Sequence, residues 1–194
     1  DGDFTGWFET LYAGVDGNAD LIPWAHATVH PLFSDWLDNN SLDGDGKQAI
    51  VVGSGLGDDA EKLAELGFDV TAFDISESAI QWSKQRFPDS TVAYLVADLF
   101  DLPEDWKQKF DFALEIFTVQ ALPQILRQDA LKALPPLLNR GGQLLSISWG
   151  RDHHETPQGP PWAISTEELK ILEDNDLTLE QAEDFMYNGE ARRF

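Results

Sequence analysis

Short apolar runs alternate with helically spaced apolar stripes along most of the chain. Ala49-Ile50-Val51-Val52 reads as a strand and ends in Gly53-Ser54-Gly55-Leu56-Gly57. Ala60, Leu63 and Ala64 then recur at helical spacing until Gly67 stops them. Phe68 to Phe73 predicts a second strand, ending at Asp74. Ser76 suits the N-cap of a helix to about Phe87, beyond which Pro88 opposes continuation. Val92 to Ala97, ending at Asp98, predicts a third strand, and Phe110 to Phe117 a fourth. A helix follows near Gln124 to Leu134, and Asn139-Arg140-Gly141-Gly142 turns into a fifth strand at Gln143 to Trp149. Ser165 and Glu168 have the spacing of a capping box for a last helix, and Leu177 to Tyr187 predicts a sixth strand. Strands alternating with helices imply an α/β fold with a doubly wound, mostly parallel sheet.

The first 46 residues are patterned differently. Trp7, Phe8, Tyr12, Trp24, Phe33 and Trp36 make this stretch aromatic, and Pro31 with Leu32, Trp36 and Leu37 predicts a helix near its end. No repeat or linker divides the chain, so residues 1–194 read as one domain: an N-terminal segment over 1–46 and a sheet core over 47–194. With 42% hydrophobic residues, 7 Trp and 12 Phe, the chain is outside the disordered class. No apolar run approaches the ~18 residues of a membrane span. The opening Asp1-Gly2-Asp3-Phe4 has no basic or apolar leader pattern, and reads as the start of an ordered or processed fragment.

The absence of Cys excludes disulfides, a thiolate nucleophile and a Cys-type zinc site, and fits a reducing, cytoplasmic setting. Thirteen basic against 35 acidic residues give a net charge of −22, which repels nucleic acids and anionic membranes. Most of that charge reads as a solvated coat.

In doubly wound sheets ligands bind beyond the carboxyl ends of the strands, where the glycine loop falls. Asp74 then closes the next strand, near the distance at which a carboxylate holds ribose hydroxyls. The dinucleotide fingerprint needs a glycine where this chain has Asp58, followed by Asp59. Acids there oppose a pyrophosphate at the helix N-terminus. A cleft edged by Asp58, Asp59, Asp74, Asp98 and Glu115 suits a cationic adenosine ligand better.

With these residues in view, the chain resembles the class I S-adenosylmethionine-dependent methyltransferases. The resemblance implies a Rossmann-like fold, S-adenosylmethionine as cofactor, and an N-terminal helical lid. It implies that Gly53, Ser54, Gly55 and Gly57 hold the methionine portion, and that Asp74, with Ile75 beside it, holds the ribose. Asp98 and Leu99 are expected at the adenine, and Glu115 and Ile116 beside the transferred methyl group. A narrower resemblance is to the thiopurine and halide methyltransferase-like subgroup. It is carried by Trp7-Phe8 to Tyr12, Pro23-Trp24, Asp74-Ile75-Ser76-Glu77-Ser78-Ala79-Ile80, Ala121-Leu122-Pro123 and Gly159-Pro160-Pro161-Trp162. There Trp24 is expected in the lid. Phe117-Thr118-Val119-Gln120 departs from the subgroup's pattern after the fourth strand. A final antiparallel strand is also expected beyond Arg192-Arg193-Phe194.

Methyl transfer is an in-line displacement at a carbon activated by the sulfonium, so the protein mainly aligns donor and acceptor. A base helps only an acceptor that holds a proton; His153 and His154 after the fifth strand, and Glu115, are the candidates. His26 and His30 make too small a set for a metal and are expected to pack or cap. The acceptor is expected to be a small molecule, met by a monomer. The competing readings are a non-catalytic S-adenosylmethionine-binding module and a nicotinamide-dependent oxidoreductase.

Overall fold

The computed structural model describes residues 5–14, 21–22, 27–157, 159–187 and 190–193. Five parallel strands form its centre: β1 (Gln48–Val52), β2 (Asp69–Asp74), β3 (Ala93–Val96), β4 (Phe110–Ile116) and β5 (Leu138–Arg151). Around them lie α1 (Gly6–Gly14), α2 (Pro31–Asn39), α3 (Asp58–Glu65), α4 (Glu77–Arg86), the single turn α5 (Thr118–Ala121), α6 (Gln124–Ala133) and α7 (Thr166–Glu173).

The unbroken apolar run of β1 has a direct physical reason. Ala49 and Val51 join one buried cluster, whereas Ile50 and Val52 join another on the opposite face. A central parallel strand has no wet face, so alternation with polar residues is lost. The first cluster takes Leu32 and Phe33 of α2, Ala60 and Leu63 of α3, and Ile80 of α4. The second takes Ala130 and Leu131 of α6, with Leu169 and Leu172 of α7 packed against it. Each fully buried Leu, Ile or Phe contributes about 1.5–3 kcal/mol, and this two-faced core holds the sheet.

Strand order is β3-β2-β1-β4-β5, so the order reverses between β1 and β4. Local signals start several helices as their sequences predict. Ser76 Oγ accepts the Ala79 N–H at the start of α4, and Ser165 with Glu168 completes a reciprocal capping box on α7. His30 caps α2 through Nδ1, which accepts the Leu32 N–H at 3.3 Å, a realised capping role. His26 lies outside the described residues.

Three features differ from the sequence expectation. Asn139-Arg140-Gly141-Gly142 is an irregularity inside one long β5, not a turn before it: pairing runs from Phe110↔Leu138 to Phe112↔Gln143. A two-residue strand β6 (Ile164–Ser165) pairs with the end of β5. The sixth strand shrinks to β7 (Asp184–Tyr187), and β8 (Glu190–Arg193) lies antiparallel between it and β5. β8 runs antiparallel to β5 and reaches Arg193, where the final antiparallel strand is expected. Among the described residues, no helix is long and apolar enough to cross a membrane.

Candidate functional site

The loop after β1 and the turn after β4 meet at the reversal of strand order, where an open α/β sheet has its crevice. Thr118 fastens the two together, its hydroxyl donating to the Val52 carbonyl at 2.9 Å. Gly53 has a φ of +65°, and a Cβ there would collide with the Thr118 side chain. Gly57, at φ +90°, has the Tyr94 hydroxyl 2.5 Å from where its Cβ would stand. Only glycine combines that backbone with that closeness.

The resulting cleft is lined by Gly53 to Asp59, by Ile116 at the end of β4 and Phe117 just after it, and by Tyr12, Thr28 and His30 from the N-terminal segment. It therefore brings together Gly53, Ser54, Gly55, Gly57 and Ile116 of the expected cofactor residues. Asp74 lies directly behind the loop: its Oδ2 accepts the Gly55 N–H at 3.0 Å and its Oδ1 the Ser76 N–H at 3.0 Å. Burial pushes its pKa up, the Ser76 and Gly55 N–H groups oppose that, and the Glu9 charge adds to it. Each carboxylate oxygen offers two lone pairs, so both retain capacity for a ligand hydroxyl. Ser54 Oγ is buried at the cleft with no hydrogen-bond partner among the described residues. A buried orphan hydroxyl, a backbone cradle and a carboxylate with spare acceptors fit the polar edge of an adenosine-bearing cofactor.

The acidic edge is thinner than the sequence implies. Asp58 is held by Arg86 through two bonds of 2.6 and 2.7 Å, so its charge is compensated. Asp59 accepts the His30 backbone N–H at 2.7 Å, and removal from water raises its pKa to about 7. Glu115 is fully buried and is not among the residues that line the cleft, whose edge the sequence assigns to it. Its Oε1 accepts the N–H groups of Thr118 and Val119, and its Oε2 the Ser146 hydroxyl. Burial raises its pKa, with the three donors opposing. This carboxylate caps α5 from inside the protein. Its neighbours explain the burial: four N–H groups at a helix start need acceptors, and Phe117, at φ +62°, offers no side-chain cap.

Asp98 lies beyond β3, where its Oδ1 accepts the Phe100 N–H at 2.9 Å, and Leu99 is buried beside it; neither lines the cleft. Ile75 is half-buried between Asp74 and Ser76. His153 and His154 are exposed on the turn after β5, their rings 5.5 Å apart, and are not among the cleft residues. Trp24 lies outside the described residues.

The N-terminal segment contributes more than its aromatic residues suggest. Glu9 of α1 accepts Ser76 Oγ at 2.7 Å, Ser78 N–H at 3.1 Å and Ser78 Oγ at 2.6 Å, at the start of α4. The two serine hydroxyls hold its carboxyl below the usual range. This contact fixes α1 so that buried Tyr12 reaches the glycine loop. Its only sequence signals are Glu9 among aromatics and a serine pair opening α4. Tyr12, Phe117, Thr118 and Asp59 likewise acquire their places through contacts distant in sequence.

Comparison with known proteins matches this arrangement. The family model for thiopurine S-methyltransferase covers residues 17–191. A probable thiol methyltransferase 2 of Arabidopsis thaliana is 27% identical over 86% of this chain and 71% of its own. A thiocyanate methyltransferase 1 of Brassica oleracea is 28% identical over 76% of this chain and 66% of its own. The chain thus spans about two thirds of the length of these relatives. Among solved structures, a magnesium protoporphyrin IX methyltransferase of Synechocystis with bound SAH (S-adenosylhomocysteine) superposes with a TM-score of 0.67. It is 18% identical, covering 100% of this chain and 87% of that one, and shares the fold. The nicotinamide and binding-module readings find no support in these matches, and the chain belongs to the thiopurine S-methyltransferase family, whose methyl donor is S-adenosylmethionine.

Proposed function

We propose that this enzyme transfers the methyl group of S-adenosylmethionine to the sulfur of a small, soft nucleophile, a thiol or a thiocyanate-like anion. The observation that carries the reading is the cleft itself: a glycine cradle, an orphan buried hydroxyl and Asp74 stand at the switch point, and the named relatives act on sulfur compounds. The donor supplies a carbon already activated for displacement. The chain's own residues bind and orient it. The backbone of Gly53, Ser54, Gly55 and Gly57 takes the amino-acid portion. Asp74 and Ile75 take the ribose, Asp98 and Leu99 the adenine, and Ile116 borders the methyl side. The 1–46 segment, with Tyr12 and Trp24, closes over the cofactor and excludes water, and 47–194 forms the core of the same single domain.

No dedicated base is needed. A thiolate or thiocyanate reaches the donor without losing a proton there, whereas an alcohol would need one removed. The exposure of His153 and His154 agrees with this. The same reading makes the enzyme a cytoplasmic monomer whose charge of −22 keeps nucleic acids and anionic membranes off.

Thermal unfolding with S-adenosylhomocysteine, with NAD as control, tests the cofactor assignment. At ~100 times its dissociation constant a ligand adds about 2.7 kcal/mol, which raises Tm visibly. A rise with S-adenosylhomocysteine alone supports the reading; a rise with NAD alone sinks it.

A further inference from the structure

The segment between β5 and β6, residues 152–163, carries no helix or strand among its described residues, yet its main chain is gripped on both limbs. On the outgoing limb Arg151, whose side chain is 8% exposed, donates from Nη1 to the carbonyls of Asp152 at 3.0 Å, His153 at 3.2 Å and Glu155 at 2.9 Å. Its Nε donates to the Ala163 carbonyl on the returning limb at 3.0 Å. Its Nη2 pairs with Glu168 Oε2 of α7, and buried Arg127 of α6 pairs with the other Glu168 oxygen at 2.8 Å. Gln120 of α5 completes the fastening: its backbone carbonyl accepts the Trp162 N–H at 2.9 Å, and its Oε1 accepts the Trp149 N–H of β5 at 2.6 Å.

Ordering an irregular segment costs conformational entropy at every residue, and here one side chain supplies much of what offsets it. A guanidinium has five N–H donors in a fixed fork, whereas an ammonium has three on a flexible stem. Arg151 grips backbone carbonyls, so the side chains of His153 and His154 take no part in these bonds.

The place of the segment gives the grip a chemical meaning, taken with the assignment of S-adenosylmethionine to the cleft, on which this inference rests. That reading gives the cofactor the carboxyl ends of β1, β2 and β3, with Ile116 at the end of β4 bordering the methyl group. In-line displacement requires the acceptor to approach the methyl carbon opposite the sulfur, and the carboxyl ends left for it are those of β4 and β5. Residues 152–163 leave β5 at its carboxyl end. They return to α5, which begins directly after the cleft residue Phe117, and the Phe117 N–H donates to the Ile147 carbonyl of β5 at 2.9 Å. We propose that residues 152–163 wall the acceptor side of the cleft and that Arg151 is the residue that positions them. Arg151 touches neither donor nor acceptor; it acts through the main chain it holds.

The test is steady-state kinetics of native protein and Arg151→Ala, with thiophenol and thiocyanate as acceptor probes, beside calorimetric binding of S-adenosylhomocysteine. The expected result is an acceptor KM about tenfold higher in the variant, with donor KM and S-adenosylhomocysteine affinity within about twofold of native. Arg151→Lys keeps a cation for Glu168 but loses the fork, and should resemble the Ala variant. An acceptor KM within about twofold of native overturns the proposal and leaves the cofactor assignment intact. An equal loss of donor and acceptor binding, the mark of a fold loosened throughout, overturns it as well. Should neither variant fold, hydrogen exchange of the native protein decides: adding thiophenol to the S-adenosylhomocysteine complex should slow exchange within 152–163, and unchanged exchange there overturns the proposal. A native protein that binds S-adenosylhomocysteine but methylates neither probe overturns the sulfur reading and this proposal together. Absence of S-adenosylhomocysteine binding overturns the cofactor assignment beneath both.

Discussion

Asp74 and Glu115 invite direct comparison. Both are carboxylates at the carboxyl ends of neighbouring halves of the sheet, both are buried, and burial pushes both pKa values up. Asp74 takes one backbone N–H on each oxygen and stands behind the glycine loop. Glu115 takes two N–H groups and a hydroxyl, all from inside the protein. The difference is that Asp74 retains acceptor capacity beside the glycine loop, whereas Glu115 spends its own on the turn after β4. On the β1–β2 side the loop supplies its own turn through glycine. On the β4–β5 side the turn has no glycine, and an internal carboxylate must support it.

Substitutions can break that comparison in a graded way. Gly53→Ala puts a side chain into Thr118 at a left-handed φ, and should cost about 3 kcal/mol in urea unfolding and abolish cofactor binding. Glu115→Ala leaves the Thr118 and Val119 N–H groups and Ser146 without their acceptor, and should cost about 2–3 kcal/mol. Glu115→Gln should recover most of that stability and retain S-adenosylhomocysteine affinity within about threefold, the result a ligand-contacting acid would not give. Asp74→Asn keeps an acceptor, yet should weaken S-adenosylhomocysteine by about ten- to a hundredfold, since hydrogen bonds to a charged group contribute about 1.5–3 kcal/mol.

Smaller effects sharpen the picture. Glu9 has a carboxyl pKa lowered below 4.5, so its folded state favours the charged form. That stabilisation is fully present above the ordinary carboxylate range and is lost as pH falls through the lowered value. Glu9→Gln should lower stability by about 0.5 kcal/mol at neutral pH and flatten the acid limb of the stability profile. Replacing His153 and His154 together by Ala should leave kcat/KM within about twofold of native. A larger loss would return a base to the β5 side.

Much of this was legible before any contact was known. The core strands, Ser76, the α7 capping box and the glycine loop rest on signals local in sequence: apolar runs, caps and glycines at a tight turn. The position of Asp74 was legible because it ends the strand next to that loop, where its carboxylate accepts the Gly55 N–H. Glu115 was not, because its donors include Ser146, on a strand 31 residues away. Asp58 looked like a free anion until Arg86, 28 residues on, proved to hold it. The Glu9 anchor spans 67 residues to Ser76. Such long-range pairings leave no periodicity to read. The late β7 and the irregular β5 show the same limit, because register is set by the partner strand.

The most direct test of the central claim is mass-spectrometric detection of product from a methyl-labelled donor offered a panel of thiol, thiocyanate, phenol and amine acceptors. The account predicts label on sulfur, at rates well above those for oxygen or nitrogen, and its loss in Asp74→Asn at limiting donor. Label on phenol or amine with none on thiol or thiocyanate would contradict it.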